Sequence, residues 1–278
     1  MSESVRVEDH GRVRHLILDR PEKRNAFNRD LVLALREAAR EAANEHEVHC
    51  VVLRGEGAAF SAGIDIFELA GLAGTENLRP FRRDCIETAN LLEEMTKPVV
   101  AQIHGACLGL GAEIALACDL RVMAEDVKFG LPETRLGLIP DVGGSSRLPA
   151  VVGLGIAKEL LMTGRSIGAA ECHRIGAANR IATTAELEGV TQELVDELLA
   201  ASPLAVGFAK RVADGIAKPT LAASLEQEVS FQQILVATDD FREAGAAYME
   251  KRPANFTGAP PGATKRAPEA ETTRPYGA

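Results

Sequence analysis

PVVAQIHGACLGLGAEIALACDLRVM, residues 98–123, decides the fold. Pro98 to Ile103 is a short apolar run bounded by proline and a glycine turn, the pattern of a strand buried on both faces. The turn is glycine-rich through Gly111, Ala112 to Ala117 then reads as a helix, and Leu120 to Met123 reads as the next strand. Strand, helix and strand in so short a space indicate an α/β core.

Working outward, Val48 to Leu53 is a second buried-strand run, and Phe81 to Met95 carries helical periodicity. Asn28 has the chemistry of an N-cap, with Leu31, Leu35, Ala38 and Ala42 on one face of the helix behind it. Residues 4 to 20 alternate around Asp9-His10-Gly11, a hairpin signal. After about Gly153 the strands give way to helical stretches: Leu154 to Met162, Ala185 to Leu199, Pro203 to Ala213 and Leu221 to Glu250. The expected organisation is a core over 1–200, a helical region over 201–258 and a mobile Pro/Ala/Thr-rich tail over 259–278, which lacks the apolar groups needed to order itself.

Composition narrows the function classes. The chain has 278 residues, 46% apolar and 26% charged, with no Trp and 2 Tyr, so a globular aliphatic core is expected. A formal net charge of −9 argues against nucleic acid as a partner. The longest apolar stretch, Leu148 to Ala157, is interrupted by Pro149, Gly153 and Gly155, so no membrane partner is expected. The first residues lack the apolar centre of a signal peptide, and the 5 cysteines form no C-x-x-C, which together predict a cytoplasmic protein with reduced thiols.

Three familiar motifs fail. His46-Glu47-Val48-His49 would need histidine at Cys50 to bind zinc as H-E-x-x-H, and reads better as a polar helix end entering a strand. Gly109-Leu110-Gly111 follows a strand, but Ile114 stands where a dinucleotide fingerprint needs its third glycine. Gly143-Gly144-Ser145-Ser146-Arg147 is not a nucleophile elbow, and its serines suit helix capping.

Three small-residue turns remain: Phe60-Ser61-Ala62-Gly63-Ile64-Asp65, the turn from His104 to Glu113, and Phe129 to Gly137 with Glu133 inside it. Small residues let the backbone approach a ligand closely. Exposed N–H groups at a helix start can stabilise an oxyanion, and paired carboxylates can act as acid and base. From the residues alone, an enzyme site and ordinary helix-capping glutamates are equally good readings.

These segments resemble the enoyl-CoA hydratase/isomerase (crotonase) family, from Leu18-Asp19-Arg20-Pro21-Glu22-Lys23-Arg24-Asn25-Ala26 through Arg252-Pro253-Ala254-Asn255-Phe256, with Glu113 and Glu133 twenty residues apart. The resemblance implies a spiral of β-β-α units with a helical C-terminal region that builds a homotrimer or a hexamer. It implies that Glu113 and Glu133 add water across a trans-2-enoyl-CoA thioester, Glu113 activating the water and Glu133 protonating C2. The backbone N–H groups of Ile64 and Leu110 would form the oxyanion hole. Ala26, Ala62, Gly63, Ile64, Asp65, Ile66 and Phe67 would line the coenzyme A site, with Arg20, Lys23 and Arg24 at its adenosine edge. No metal and no cofactor beyond the substrate's own coenzyme A is expected.

Two positions depart from the hydratase pattern. Leu110 stands where hydratases usually have glycine, which keeps the backbone donor and narrows the acyl pocket. Asp141, eight residues after Glu133, stands where many hydratases have glycine and dienoyl-CoA isomerases a third acid. Those isomerases usually carry aspartate at the Glu113 position, and a Δ3,Δ2-enoyl-CoA isomerase needs only the Glu133 carboxylate. Retention of both glutamates favours the hydratase, with the isomerases and a non-catalytic acyl-CoA binder as alternatives; Asp141 has the further plain reading of a cap for the helix after Gly143.

Overall fold

The computed structural model describes residues 4–72 and 75–258, so the expected mobile tail lies outside the described residues. The chain opens with β1 (Val5–His10) and β2 (Val13–Leu18), an antiparallel hairpin. A single 3-10 turn (Pro21–Lys23) leads to helix α1 (Arg29–Asn44), where the Asn28 side chain accepts from Leu31 N at 3.0 Å. Such a cap is worth ~1 kcal/mol. The buried face of α1 is Leu31, Val32, Leu35, Ala38, Ala39 and Ala42, the periodic residues of the sequence and their neighbours.

Strand β3 (Cys50–Gly55), helices α2 (Ile66–Leu72) and α3 (Leu78–Glu94), and strand β4 (Val99–Ile103) follow. Then come β5 (Ala106–Leu108), α4 (Leu110–Ala117), β6 (Leu120–Ala124) and β7 (Lys128–Gly130). A second 3-10 turn (Glu133–Leu136) precedes α5 (Gly144–Val152), α6 (Leu154–Thr163), β8 (Ile167–Gly168), α7 (Ala169–Arg174) and β9 (Arg180–Ala182). The remainder is helical: α8 (Leu187–Leu199), α9 (Pro203–Ala217), α10 (Leu221–Leu235) and α11 (Asp239–Glu250).

The larger sheet has the order β1-β2-β3-β4-β6-β9, and every pairing after the hairpin is parallel. Its central strands are buried, with α1 packed against β2 and α8 against β3, β4 and β6. A second sheet, β5-β7-β8, is built from strands of two or three residues, too short for hydrophobic periodicity to reveal.

Two of the differences from the sequence reading have a plain local cause. The helix expected from Phe81 begins at Leu78, since Pro80 in its first turn lacks only an N–H that has no intrahelical partner there. The stretch read as helical from Leu221 to Glu250 is two helices, because the Thr238 hydroxyl accepts from Phe241 N at 3.2 Å and starts a new one. Among the described residues no helix is long and apolar enough to cross a membrane.

Candidate active site

The loop Phe60–Asp65 is pinned between two short parallel bridges, Phe27 with Ile64 and Ser61 with Cys107. The buried Ser61 hydroxyl donates to Asn25 O at 2.8 Å and accepts from Gly63 N at 3.1 Å, fixing the turn. Phe27 N bonds Gly63 O at 2.7 Å and Asp65 N bonds Phe27 O at 2.8 Å, so the loop's main-chain ties straddle Ile64. Gly63 has φ +100, and a Cβ there would stand 2.7 Å from Leu108 O, so only glycine lets this loop lie against β5. Across that contact Gly109, φ +51, starts α4, whose first N–H groups, Leu110 among them, have no intrahelical acceptor. The two expected oxyanion donors therefore belong to loops in direct contact, beside a helix N-terminus.

The glutamates enter from either side of this junction. Every residue of α4 is buried, so Glu113 is a carboxylate inside an otherwise apolar helix, where an ionised group is costly. Its Oε1 accepts from Val142 N at 2.8 Å and Gly144 N at 2.9 Å, at the start of α5. Glu133 opens the second 3-10 turn, which Thr134 Oγ1 and Arg135 Nε tether to the end of α6 by donating to Leu161 O at 2.9 Å and Thr163 O at 2.8 Å. A Cβ on Gly109 would meet Glu133 Oε1 at 3.1 Å, so this carboxyl lies on the same glycine that starts α4. Among the described residues, Glu133 Oε2 is buried with no hydrogen-bond partner.

Asp141 corrects one expectation. It does not cap α5; its Oδ2 faces Arg82 Nε at 2.9 Å, in an ion pair with both side chains buried. The serines do not cap α5 either: Ser145 Oγ donates to Pro140 O at 2.9 Å and Ser146 Oγ to Glu228. Carboxylates do that work. Glu113 takes Gly144 N, and Glu228 of α10 takes Gly143 N at 2.7 Å, satisfying donors that the glycines themselves cannot cap.

Burial raises all four acids, and neighbouring carboxylates add to the rise of Glu113, Glu133 and Glu228. Glu113 lies well above the ordinary range, through burial and then the charges of Glu133, Asp141 and Glu228, against its bond from Val142 N–H. Burial pushes Glu133 up to about 8, with Asp141 adding to the rise and Arg82 opposing it. Asp141 is pushed up to about 6 and Glu228 to about 7, each chiefly by burial. A proton shared among neighbouring carboxylates at neutral pH is the condition for acid and base to coexist in one site.

The expected coenzyme A residues lie around the rim. Ala26, Ala62 and Asp65 are half-buried, whereas Ile66 and Phe67 are exposed on α2. Ile66 and Phe67 border an apolar cavity of about 260 Å³ shared with Leu136, Leu138, Phe241 and Tyr248. Arg20 is tied inward, to Asp65 at 3.6 Å, while Lys23 and Arg24 are exposed. Ile64 packs on a small apolar cluster, Leu69, Leu78, Leu138 and Val236, separate from the main core.

Arg82 and Glu228 escaped the sequence reading, although a signal existed. Arg82 falls on the buried face of α3 among Leu78, Phe81, Cys85 and Ala89, and Glu228 and Gln232 continue the buried face begun by Leu225. A polar residue at an apolar-stripe position is informative.

The family model for enoyl-CoA hydratase/isomerase matches residues 8–259. The chain belongs to the enoyl-CoA hydratase/isomerase family. It is 34% identical to a crotonyl-CoA hydratase from Syntrophomonas wolfei over 255 residues, 91% of this chain and 98% of that one. It is 35% identical to an enoyl-CoA isomerase/hydratase from Mycosarcoma maydis over 255 residues, 88% of this chain and 93% of that one. The crystal structure of an enoyl-CoA hydratase from Mycobacterium avium subsp. paratuberculosis K-10 superposes with a TM-score of 0.83 at 26% identity, covering 91% of this chain and 98% of that one. The sheet and helices described above are thus a crotonase fold.

Proposed function

We propose that this member of the family hydrates trans-2-enoyl-CoA thioesters to 3-hydroxyacyl-CoA. The thioester oxygen accepts from the N–H groups of Ile64 and Leu110, which draws electrons from C3 and stabilises the enolate that forms. One such donor is worth ~3 kcal/mol in a dry, preorganised site. Glu113, whose ionised form is held against burial by two N–H bonds at a helix N-terminus, takes a proton from water as the hydroxyl bonds to C3. Glu133, with no donor on Oε2, carries the proton that goes to C2. Return of the proton from Glu113 to Glu133 restores the pair. The reaction needs no metal and no cofactor beyond the substrate's coenzyme A.

The observation that carries this reading is the Glu133 carboxyl against Gly109, the glycine that starts the helix carrying buried Glu113, where the Ile64 loop and the α4 N-terminus touch. A purely acyl-CoA-binding protein gains nothing from burying them, since each buried carboxylate costs stability. The isomerase reading rests on Asp141 as a third buried acid; its pairing with Arg82 weakens that reading, because the carboxylate is already engaged. The test is loss of the conjugated thioester's absorbance with crotonyl-CoA and longer 2-enoyl-CoAs, run beside a 3,5-dienoyl-CoA. Hydration with little conversion of the diene is expected. Efficient diene isomerisation without hydration would replace the hydratase with the isomerase.

The remaining features are proposed on the same footing. The residues expected to line the coenzyme A site hold the thioester arm along the rim from Ala26 to Phe67. The helices of 201–258 build a homotrimer or dimer of trimers, supported by the exposed stripe Leu204, Phe208, Val212 and Ile216, one residue per turn of α9. Light scattering that gives a stable monomer would remove that assembly. A cytoplasmic setting, without nucleic-acid or membrane partners, is the one its acidity and sequence favour.

A further inference from the structure

A cavity of about 170 Å³ beside Arg82 is bounded by apolar Leu78, Val229 and Val236 and by the donors Arg79, Arg82 and Gln232. Its polar groups are out of balance. The charge of Arg82 is met by Asp141 at 2.9 Å. Gln232 is 2% exposed, and its Oε1 accepts from Ile139 N at 3.1 Å, which orients the amide. Its Nε2 is left as a buried donor without an acceptor among the described residues. An unmet buried donor of this kind costs ~1–3 kcal/mol and marks a place where an acceptor belongs. Arg79, exposed at the cavity's edge in the first turn of α3, has no ion-pair partner among the described residues. The cavity therefore holds a spare amide donor and a spare positive charge, and among its lining residues no carboxylate.

Its position relates it to the reaction. Leu78 and Val236 belong both to this cavity and to the small apolar cluster on which Ile64 packs. Leu78 and Val236 thus join the Ile64 loop to the wall that carries Gln232, so an acyl chain running from a carbonyl at Ile64 past these two side chains would end in this cavity. We propose that this cavity selects 2-enoyl-CoA substrates whose acyl chain ends in a carboxylate, the mono-CoA thioesters of unsaturated dicarboxylic acids. Gln232 Nε2 donates to that carboxylate and Arg79 supplies the opposing charge, a pairing favoured over water where apolar walls limit solvation. Arg82 stays with Asp141 and positions the pocket wall. The identification of the chain as acyl binder and hydratase underlies this proposal, so the test separates the two.

Binding of saturated, unreactive thioesters by calorimetry requires no turnover. Glutaryl-, adipyl- and suberyl-CoA are compared with pentanoyl-, hexanoyl- and octanoyl-CoA on the full chain, on Gln232→Met and on Arg79→Ala. At one chain length or more the carboxylate ligand should bind ~10-fold tighter than its uncharged counterpart. Either substitution should erase most of that preference while leaving the uncharged ligand's Kd unchanged, which also shows that the variant is folded. Equal or weaker binding of the carboxylate ligand at every length, or a preference that survives both substitutions, overturns the proposal. A clear preference without hydration of any 2-enoyl-CoA would retire the hydratase and keep the pocket; hydration of crotonyl-CoA without the preference would do the reverse.

Discussion

Helix α3 carries a buried ion pair at each end, and the two behave in opposite ways. Near its C-terminus Glu93 meets Arg147, which donates to it through Nη2 at 2.9 Å and Nε at 3.2 Å, to Asn90 Oδ1 at 2.7 Å and to Val142 O at 2.9 Å. Lys218 binds the other Glu93 oxygen. Burial raises the Glu93 carboxyl, but two cations beside it prevail and hold it below its ordinary value. Near the N-terminus a single cation, Arg82, faces Asp141 with Glu113, Glu133 and Glu228 behind it, and every acid there is raised. The difference lies in the ratio of partners, since both ends are buried. Where two cations close on it the carboxylate is a fixed anion and a strut; where carboxylates are in excess, protons remain to be moved.

The sharpest break of that comparison comes from neutralising an acid at one end and the paired cation at the other. Glu113→Gln and Glu133→Gln are each expected to lower kcat for enoyl-CoA hydration ~10²-fold or more, the usual loss for one acid–base group. Neither should lower Tm, because removing a raised carboxyl relieves repulsion. A variant that hydrates at the wild-type rate would take its residue out of the mechanism. At the other end, Arg147→Met leaves Glu93 with Lys218 alone and should cost ~3–5 kcal/mol of stability, as breaking a buried pair does. That corresponds to ~10 °C in Tm by calorimetry. A loss under ~1 kcal/mol would mean that this end is not the strut described.

Much of this arrangement is legible in the sequence, and the illegible part has a physical reason. The Asn28 cap, the α/β core around residues 98–123 and the glycine turns depend on residues within a few positions of one another. The same turns brought Ile64, Leu110, Glu113 and Glu133 into view, although the expected family and not spacing gave them roles. The partners of the acids lie far away in the chain: Arg82 precedes Asp141 by 59 residues, and Glu228 follows Gly143 by 85. Only packing can pair them, and periodicity says merely that a polar side chain occupies a buried stripe. Thr238-Asp239-Asp240, by contrast, carried a readable start signal for α11 that apolar continuity across Leu221–Glu250 masked.

A finer comparison concerns Asp141 against Glu133, both raised but only one paired. Asp141→Asn keeps a polar contact for Arg82 and should leave hydration within ~10-fold of wild type, since the residue is not asked to move a proton. Arg82 would then sit with less negative charge opposite it, so a fall in Tm of a few °C is expected by differential scanning calorimetry, ~1–2 kcal/mol for a weakened buried pair. Loss of hydration by ~10²-fold in this variant would place Asp141 in the proton path.

The account stands most directly on Glu133 holding its proton at neutral pH. The carboxyl is pushed up to about 8, so the acid is present below that pH and is lost as pH rises through it. The deciding measurement is kcat/KM for crotonyl-CoA hydration between about pH 7 and 10, which reports groups on the free enzyme. A descending limb near pH 8, falling about tenfold per pH unit beyond it, is the expected result. A profile that stays flat across that range would contradict Glu133 as the acid, and with it the claim that excess carboxylate at this end of α3 keeps a proton in play.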